Sequence, residues 1–279
     1  MFYHNGVLEV KVDTTGFPFV TIISPQEARY GYRLHDNIYA GIEQTMFNFK
    51  VDIDVLGTKN RLKSVETGKQ SLRNGDWSRD NNSKHSQLKI SEKLQMTEMQ
   101  AVFKHNSNDP KYLVLYNHGF SSEYKNVRGY RIQIDGGYQQ VLTEDFGNEA
   151  SVSWARYDLV VTNRKEDEGY SSSIYSPLDV KTQIVNFQKF VDDNENILDK
   201  DLVSWVTLRS YNIHSTEALP LVQTAGGSKS FYVMPFNYYP EDPSLSARDA
   251  LKIRKDEQTV TENHGLPKLY SVSHRENDC

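Results

Sequence analysis

Short runs of alternating, β-branched and aromatic residues recur along most of the chain. Alternation places successive side chains on opposite faces of a strand, and no long helical pattern intervenes between the runs. Many short strands in such a series are typical of two packed sheets. The sequence therefore predicts a mainly β fold, a large antiparallel β-sandwich. The predicted strands are 7–12, 17–23, 47–55, 112–116, 130–134, 139–142, 159–161, 203–207 and 231–234.

Three other segments carry their own structural signals. Asp135-Gly136-Gly137 stands between two predicted strands, and because glycine tolerates the positive φ of tight turns, it predicts a hairpin. Residues 59–89 are polar and follow neither strand nor helix periodicity, which predicts a long surface loop. Apolar residues at helical spacing predict one helix over 180–191.

No linker or internal repeat divides the chain. We therefore assign residues 1–255 to a single domain and residues 256–279 to a polar C-terminal tail. The first predicted strand begins almost at Met1, so we expect that more protein precedes it and that the domain is incomplete at its N-terminus. The single cysteine, Cys279, is the last residue and forms either an exposed thiol or a disulfide between two subunits.

Composition and charge narrow the range of partners. The 279 residues include 32 lysines and arginines and 37 aspartates and glutamates, which gives a formal net charge of -5. The basic residues are scattered, so the chain has no electrostatic footprint for nucleic acid. No apolar run approaches the roughly 20 residues that cross a bilayer, and the first residues lack the pattern of a signal peptide.

The stretch 41–55 holds the strongest candidate chemistry. Residues two apart in a strand lie on the same face, so Glu43 lies with Thr45, and Asp52 lies with Asp54. Two carboxylates on one face are the kind of ligands that a hard cation prefers. The stretch therefore predicts a metal site at Asp52 and Asp54.

Four segments together resemble one known family. In this order and at these separations they are similar to the C-terminal part of the catalytic β-sandwich domain of copper amine oxidases, nearest to the animal diamine oxidases. The similarity runs over residues 2–249. The segments are Phe-Lys-Val-Asp-Ile-Asp-Val at 49–55, Ser-Ser-Ser-Ile-Tyr at 171–175, Asp-Leu-Val-Ser-Trp-Val-Thr at 201–207 and Met-Pro-Phe-Asn-Tyr-Tyr-Pro-Glu-Asp-Pro-Ser at 234–244.

The resemblance implies a homodimeric, usually secreted enzyme. Members of this family oxidise primary amines to aldehydes and release ammonia and hydrogen peroxide. Their chemistry needs a topaquinone made from a tyrosine, a catalytic aspartate, and copper held by three histidines. The resemblance places the cofactor tyrosine and the catalytic aspartate upstream of Met1, so we expect no catalytic residue within this sequence.

The resemblance also identifies the positions of the copper ligands. The paired histidines of the family align with Glu43 and Thr45, and the third histidine aligns with Asn212. Carboxylate, hydroxyl and amide oxygens suit harder cations than copper. A rebuilt copper site that uses His214, two residues beyond Asn212, or the nearby His35 is the alternative. The family's Asn-Asp-Pro-Trp segment is also replaced here, by residues 176–180.

Two structural calcium sites of the family have their acidic positions retained. Oxygen ligands gathered from distant segments suit Ca²⁺, which takes about 6 to 8 of them. The alternative is that these acids are solvated surface charges. The implied ligands are the side chains of Asp52, Asp54 and Asp201 with the carbonyls of Ile53 and Leu202 at the first site, and the side chains of Glu98, Glu168, Asp193 and Glu195 with the carbonyl of Val191 at the second.

These inferences lead to one functional hypothesis and two alternatives. We expect a catalytically inactive, calcium-stabilised homologue of the copper amine oxidases, homodimeric and extracellular. In one alternative the chain is part of an active amine oxidase with an unusual copper site. In the other it is an extracellular binding or adhesion module on the same scaffold, for which the sequence indicates no ligand.

Overall fold

Two antiparallel sheets of six strands each form most of the structure, which is a computed structural model. It describes residues 1–22, 29–73, 84–135, 143–144, 147–178, 182–222, 227–246, 252–256, 259–263 and 272–274. The strands, in chain order, are β1 (Leu8–Val12), β2 (Val20–Thr21), β3 (Gly31–His35), β4 (Ile38–Asp52), β5 (Arg61–Arg73), β6 (Lys84–Gln95), β7 (Val102–Phe103), β8 (Lys111–Ser121), β9 (Val127–Asp135), β10 (Leu159–Asn163), β11 (Leu202–Ile213) and β12 (Lys229–Phe236).

The strand order separates the two sheets cleanly. The first sheet runs β1-β12-β9-β8-β5-β6, and the second runs β2-β4-β11-β10-β7 with β3 also paired to β4. The longest pairing within the second sheet joins β4 to β11, from Ile42 opposite Ile213 to Asp52 opposite Val203. Three further strands form a small separate sheet: β13 (Lys252–Asp256), β14 (Thr259–Asn263) and β15 (Val272–His274).

Helical structure is short throughout the described residues. The one α-helix that the structure describes is α1 (Lys189–Asp192), a single turn. Among these residues, no helix has the length and apolar character that crossing a bilayer would require. The 3₁₀ turns are Glu98–Ala101, Glu149–Arg156, Ser176–Leu178, Thr216–Ala218 and Pro243–Ser246.

The main hydrophobic core lies between the two large sheets. Leu62, Leu115 and Phe231 of the first sheet pack with Leu159 and Leu208 of the second, and each is at most 1 % exposed. The central strands of this sandwich thus contribute side chains from one face to the core. The mainly β, antiparallel sandwich predicted from the sequence is confirmed.

A second apolar cluster covers the opposite face of β11. Trp205 packs there against Phe187, with ring centroids 5.4 Å apart, and against Trp154 and Val191. The first nine residues of β11 are buried because one face meets the sandwich core and the other meets this cluster. Since α1 carries Val191, the cluster fixes the position of the chain that follows this helix.

Most of the strands predicted from the sequence are present. Predicted strands 7–12, 112–116, 130–134, 159–161, 203–207 and 231–234 correspond to β1, β8, β9, β10, β11 and β12. Strand β4 begins nine residues earlier than the predicted 47–55, at Ile38, and ends at Asp52. Of predicted strand 17–23, only Val20–Thr21 is a strand among the described residues.

The predicted surface loop 59–89 is wrong. It contains β5 and the first half of β6, and the two strands pair from Leu62–Gln95 to Arg73–Lys84. Strand β8 pairs with β5 only at residues 61–66. Beyond Glu66 no described strand pairs with β5 on that side, and Leu88 and Ile90 are 71 % and 70 % exposed. A hairpin that is solvated in this way needs no buried face, so its sequence loses the alternation that identifies strands.

The predicted helix over 180–191 is also wrong, apart from its last turn. Residues 182–188 form bends and turns, and Ile184 is 68 % exposed. Phe187, Phe190 and Val191 pack on and around Trp205, so tertiary contacts rather than a helical face account for their spacing. Val180 and Lys181, the hairpin turn at 136–137, the predicted strand 139–142 and Cys279 lie outside the described residues.

Substitution of two leucines in the range 59–89 tests whether these residues form strands of the sandwich. Leu62→Ala should lower the free energy of unfolding by about 2–5 kcal/mol, because Leu62 is buried in the sandwich core. Leu88→Ala, the matched control on the solvated half of the same hairpin, should change it by less than about 0.5 kcal/mol. Urea unfolding at low protein concentration measures both. Equal effects of the two substitutions would contradict the assignment of Leu62 to the core.

Candidate metal sites

The pairing of β4 with β11 separates two groups of candidate ligands. Glu43 lies opposite Asn212 near one end of the paired region, and Asp52 lies opposite Val203 at the other. Nine residues of extended strand separate Glu43 from Asp52, a distance of about 30 Å. The structure therefore contains two independent candidate centres along one pair of strands, and a third cluster adjoins the second of them.

At the first end, a carboxylate and an imidazole form a hydrogen bond. Glu43 Oε2 lies 2.7 Å from His214 Nε2, and His214 is 3 % exposed. Thr45 lies opposite Ser210 on the same pair of strands. The structure thus brings together the three positions that the sequence identified, Glu43, Thr45 and Asn212, and adds His214. His35 is exposed and contacts Asp36 instead.

This donor set does not fit copper bound by three imidazoles. Glu43, Thr45 and Asn212 offer oxygen donors, whereas imidazole nitrogen is the donor that suits copper. The nitrogen of His214 that faces the group is already hydrogen-bonded to Glu43. The arrangement is instead a polar contact that joins β4 to the segment just after β11.

At the other end, three aspartates lie together. Asp52, Asp54 and Asp201 each offer a carboxylate oxygen, and these oxygens lie within 4.8 Å of one another. Asp52 is the last residue of β4, and Asp201 immediately precedes β11. The antiparallel pairing of the two strands therefore brings these side chains together although they are distant in sequence. Ile53 and Leu202 are their chain neighbours, and the roles of their carbonyls remain predictions.

The aspartates of this first acidic cluster repel one another. Burial raises the pKa of Asp201 above its ordinary value, and the charges of Asp52 and Asp54 raise it further. Arg164 opposes this effect, with its Nε 3.1 Å from Asp52 Oδ2. Asp201 Oδ1 is buried and accepts no hydrogen bond from any described residue. A buried carboxylate oxygen without a donor is suited to binding a cation.

A second acidic cluster gathers Glu98, Asp193 and Glu195, again with carboxylate oxygens within 4.8 Å. Asp193 follows α1, so the packing of Val191 against the Trp205 cluster positions it. Glu98 begins a 3₁₀ turn and is fully buried. Its two oxygens accept hydrogen bonds from the backbone N–H groups of Asn163 and Glu195, both at 2.9 Å.

Burial dominates the ionisation of Glu98. It raises the pKa of Glu98 to about 7, and the neighbouring Asp193 raises it as well, while the hydrogen bonds from Asn163 and Glu195 act in the opposite direction. The carboxyl of Glu98 is therefore partly protonated near neutral pH in the ion-free protein. A cation at this cluster would favour the ionised carboxylate.

Lys165 lies within the second acidic cluster. Its Nζ is 2.6 Å from Asp193 Oδ2 and 3.3 Å from both Glu195 Oε2 and Glu168 Oε1. Burial lowers the pKa of Lys165, but the hydrogen bonds and charges of these acids outweigh it and raise the pKa overall. Glu168, a predicted ligand, is therefore joined to the cluster through Lys165.

Two further predicted ligands of the second cluster have definite surroundings. Glu168 is 7 % exposed, and its Oε2 is buried without a hydrogen bond from any described residue. The carbonyl of Val191 accepts a hydrogen bond from the N–H of Asn194 at 3.1 Å, as expected just after a helical turn. The assignment of these groups as calcium ligands remains a prediction.

Sequence reasoning missed the two basic residues of these clusters. Arg164 and Lys165 are consecutive, directly after β10, and each contacts carboxylates of a different cluster. The one local signal was their position before the acidic run Glu166-Asp167-Glu168. That pattern predicts local charge pairing and gives no indication that the partners come from β4 or from the segment after α1.

Comparisons with known proteins agree on one family. The family model described as copper amine oxidase, enzyme domain, matches residues 1–254. A Margaritifera margaritifera protein described as a copper-containing amine oxidase is 40 % identical over 254 residues, which are 91 % of this chain and 32 % of that protein. The copper-containing diamine oxidase of Homo sapiens is 38 % identical over 253 residues, 90 % of this chain and 33 % of its own length.

A comparison of folds gives the same architecture. The crystal structure of the Aspergillus nidulans amine oxidase superposes with a TM-score of 0.83 at 23 % identity and covers 99 % of this chain and 37 % of the other. At that identity the likeness shows the fold alone. The chain spans about a third of the length of the curated relatives it matches.

The raised pKa of Glu98 predicts how stability depends on pH in the calcium-free protein. Between its ordinary pKa of 4.5 and about 7, the folded state keeps a proton that the unfolded chain releases. The free energy of unfolding should therefore fall as pH rises through this window, by at most about 3 kcal/mol, since one pKa unit corresponds to about 1.4 kcal/mol. Urea unfolding with a chelator at pH 5 and pH 7.5 measures the difference. Glu98→Gln, which cannot ionise, should reduce it, and an unchanged difference in that variant would contradict the assignment to Glu98.

Proposed function

The chain belongs to the copper amine oxidase family, and we propose that it is a member that retains a calcium-stabilised scaffold but not the copper and quinone chemistry. The observation that carries this proposal is the identity of the residues at the copper positions. The resemblance aligns Glu43, Thr45 and Asn212 with three imidazoles of the family, and Glu43 is hydrogen-bonded to His214. Without copper the family reaction, oxidation of primary amines, has neither its metal nor the means of making its quinone.

The calcium part of the proposal rests on the two acidic clusters. Each cluster brings together three carboxylates from segments that are distant in sequence. The first cluster contains a buried oxygen, Asp201 Oδ1, and the second adjoins one, Glu168 Oε2. Neither oxygen accepts a hydrogen bond from a described residue. Oxygen donors in this number, completed by carbonyls and water, are the ligands that Ca²⁺ prefers. Calcium bound there would join β4 to β11 at the first cluster, and the Glu98 turn to the segment after α1 at the second.

A second candidate function is supported by His214. Its Nε2 lies within 2.7 Å of Glu43 Oε2, so Glu43, Asn212 and His214 together resemble a rebuilt metal site. In that case a longer protein that contains this chain would still oxidise amines. A peroxide-coupled assay of the longer protein with putrescine, histamine and benzylamine, together with a quinone stain, separates the two functions. Peroxide release would favour this second candidate.

We propose further that the protein is an extracellular homodimer. The solvated half of the β5–β6 hairpin supports dimerisation, because its exposed Leu88 and Ile90 extend beyond the sheet. Calcium is present at millimolar concentration outside cells. Such a concentration suits sites at which calcium has to compete with the side-chain cations of Arg164 and Lys165. Sedimentation equilibrium should give a dimer for the wild type, with weaker association after Leu88→Asp. A monomeric wild type would contradict the dimer.

Metal analysis tests the proposed function directly. After chelation and dialysis against both metals, the protein should retain calcium and no stoichiometric copper, because the donors match the first ion and not the second. The triple variant Glu43→His, Thr45→His, Asn212→His should gain copper, since it restores imidazoles at the three positions. One tightly bound copper per wild-type chain would refute the proposal.

Paired substitutions locate the calcium. Asp54→Asn with Asp201→Asn should weaken calcium binding at the first cluster by at least about tenfold, because affinity depends on the number of charged ligands. The control Asp36→Asn removes an exposed aspartate that pairs with His35, and it should leave calcium binding unchanged. Calorimetric titration with calcium measures all three proteins. Equal affinities for the double variant and the control would contradict a calcium site at Asp54 and Asp201.

A further inference from the structure

Two consecutive cations occupy the two acidic clusters. Arg164 contacts Asp52 at 3.1 Å, with its Nη1 4.0 Å from Asp201 Oδ2. Lys165 contacts Asp193, Glu195 and Glu168 at 2.6 to 3.3 Å. The basic residues come from one short segment after β10, which also carries Glu168, whereas the other four carboxylates come from three separate segments. One dipeptide therefore supplies counter-charge to both clusters.

The position of Lys165 is incompatible with a metal ion at the same carboxylates. Calcium binds oxygen at about 2.3–2.6 Å, and the ammonium already lies as close as 2.6 Å to one of these oxygens. An ion among Asp193, Glu195 and Glu168 would therefore meet the ammonium at contact distance. Two positive charges at that distance repel strongly in a partly buried site.

The buried carboxylate of Glu168 indicates that Lys165 fills the cluster incompletely. Only Oε1 of Glu168 contacts the ammonium, and Oε2 is buried without a described donor. An ammonium offers three hydrogens, whereas calcium takes about 6 to 8 oxygens. The cluster therefore offers more oxygen donors than the ammonium of Lys165 can contact. Calcium can use the remaining oxygens, so it can compete with the ammonium for this cluster.

We propose that Arg164 and Lys165 are built-in counter-cations, which neutralise the two acidic clusters in the calcium-free protein and turn out of them when calcium binds. This inference rests on the proposed calcium sites. It assigns to Lys165 and Arg164 the role of setting calcium affinity, because the ion has to displace a tethered charge. They act on calcium by competing with it for the same oxygens.

The surroundings allow both side chains to leave without unfolding the segment. The backbone N–H of Arg164 donates to the carbonyl of Asp201 at 2.8 Å, so the main chain stays anchored. A surface groove lined by Arg164, Lys165 and Lys200 opens beside both clusters. Arg164 also contacts the exposed Glu166 at 3.0 Å, which is a partner for its guanidinium outside the cluster.

Two measurable consequences follow from a tethered competitor. The apparent affinity for calcium is reduced by the fraction of molecules in which the cation fills the site. The calcium-free fold is stabilised, because without the cation the carboxylates repel one another. Removing Lys165 should therefore have opposite effects on the protein without calcium and on its response to calcium.

Three variants test these consequences by calorimetric titration with calcium chloride after chelation. Lys165→Met should raise the affinity of one site by about tenfold or more. Lys165→Arg keeps the charge in place and should behave like the wild type. The control Lys200→Met removes a charge from the same groove that contacts neither cluster, and it should change affinity by no more than about threefold, because exposed charges are screened.

Thermal unfolding provides the complementary measurement. In chelator, Lys165→Met should have a lower Tm than the wild type, and calcium should raise its Tm by more than it raises the wild-type Tm. Preparing the variant in calcium before chelation keeps it folded for the comparison. If Lys165→Met and the wild type have the same calcium affinity, the proposal is wrong.

Chemical modification tests the wild type without any substitution. A lysine ammonium held by three carboxylates reacts slowly with an acylating reagent, because the reaction needs the free amine. Calcium should therefore speed acylation of Lys165, measured by mass spectrometry, while Lys200 serves as the internal reference. Unchanged or slower acylation of Lys165 in calcium would overturn the displacement.

The outcomes separate this inference from the proposed function. If the wild type binds no calcium by calorimetry and shows no Tm increase, the proposed calcium sites fail, and displacement fails with them. The counter-cation role is judged separately by the chelator experiment. A Lys165→Met variant as stable as the wild type in chelator would refute that role, and a lower Tm would support it.

Discussion

The register between β4 and β11 is the constraint on which the rest of the structure depends. These two strands pair from Ile42 with Ile213 to Asp52 with Val203. A slip of one residue would turn every side chain to the opposite face of the sheet and would separate both groups of candidate ligands. The register is held by burial on both sides of β11, since its side chains alternate between the sandwich core and the Trp205 cluster.

This pairing keeps the Glu43–His214 contact apart from the acidic clusters. Glu43 and Asp52 lie on the same strand but about 30 Å apart, too far for direct contact and beyond effective charge interaction in salt. Substitutions near Glu43 therefore do not disturb the acidic clusters. At the Glu43 end, the Glu43–His214 hydrogen bond joins β4 to the segment after β11.

The two wrong expectations from the sequence have physical causes. Periodicity reports which face of an element is buried, and residues 67–71 and 86–90 of the β5–β6 hairpin are exposed on both faces. Its strands are held by their own backbone ladder, which leaves little trace in side-chain pattern. Phe187, just before α1, and Val191, within α1, are buried because they pack in the Trp205 cluster, so their spacing imitates a longer helix. Tertiary packing produced the pattern in that case.

The sequence by itself determined the β-sandwich and the family, and it predicted which residues stand at the family's copper positions, because strand alternation and residue identity are local properties. It also determined that Asp52 and Asp54 are close, since they are two residues apart. Only the tertiary structure decided that Lys165 lies between Asp193 and Glu195, that Arg164 faces Asp52, and that His214 reaches Glu43. These contacts join separate segments of the chain. Opposite charges pair once folding brings them together, however far apart they are in the sequence. The resulting pairs leave no pattern in the order of residues.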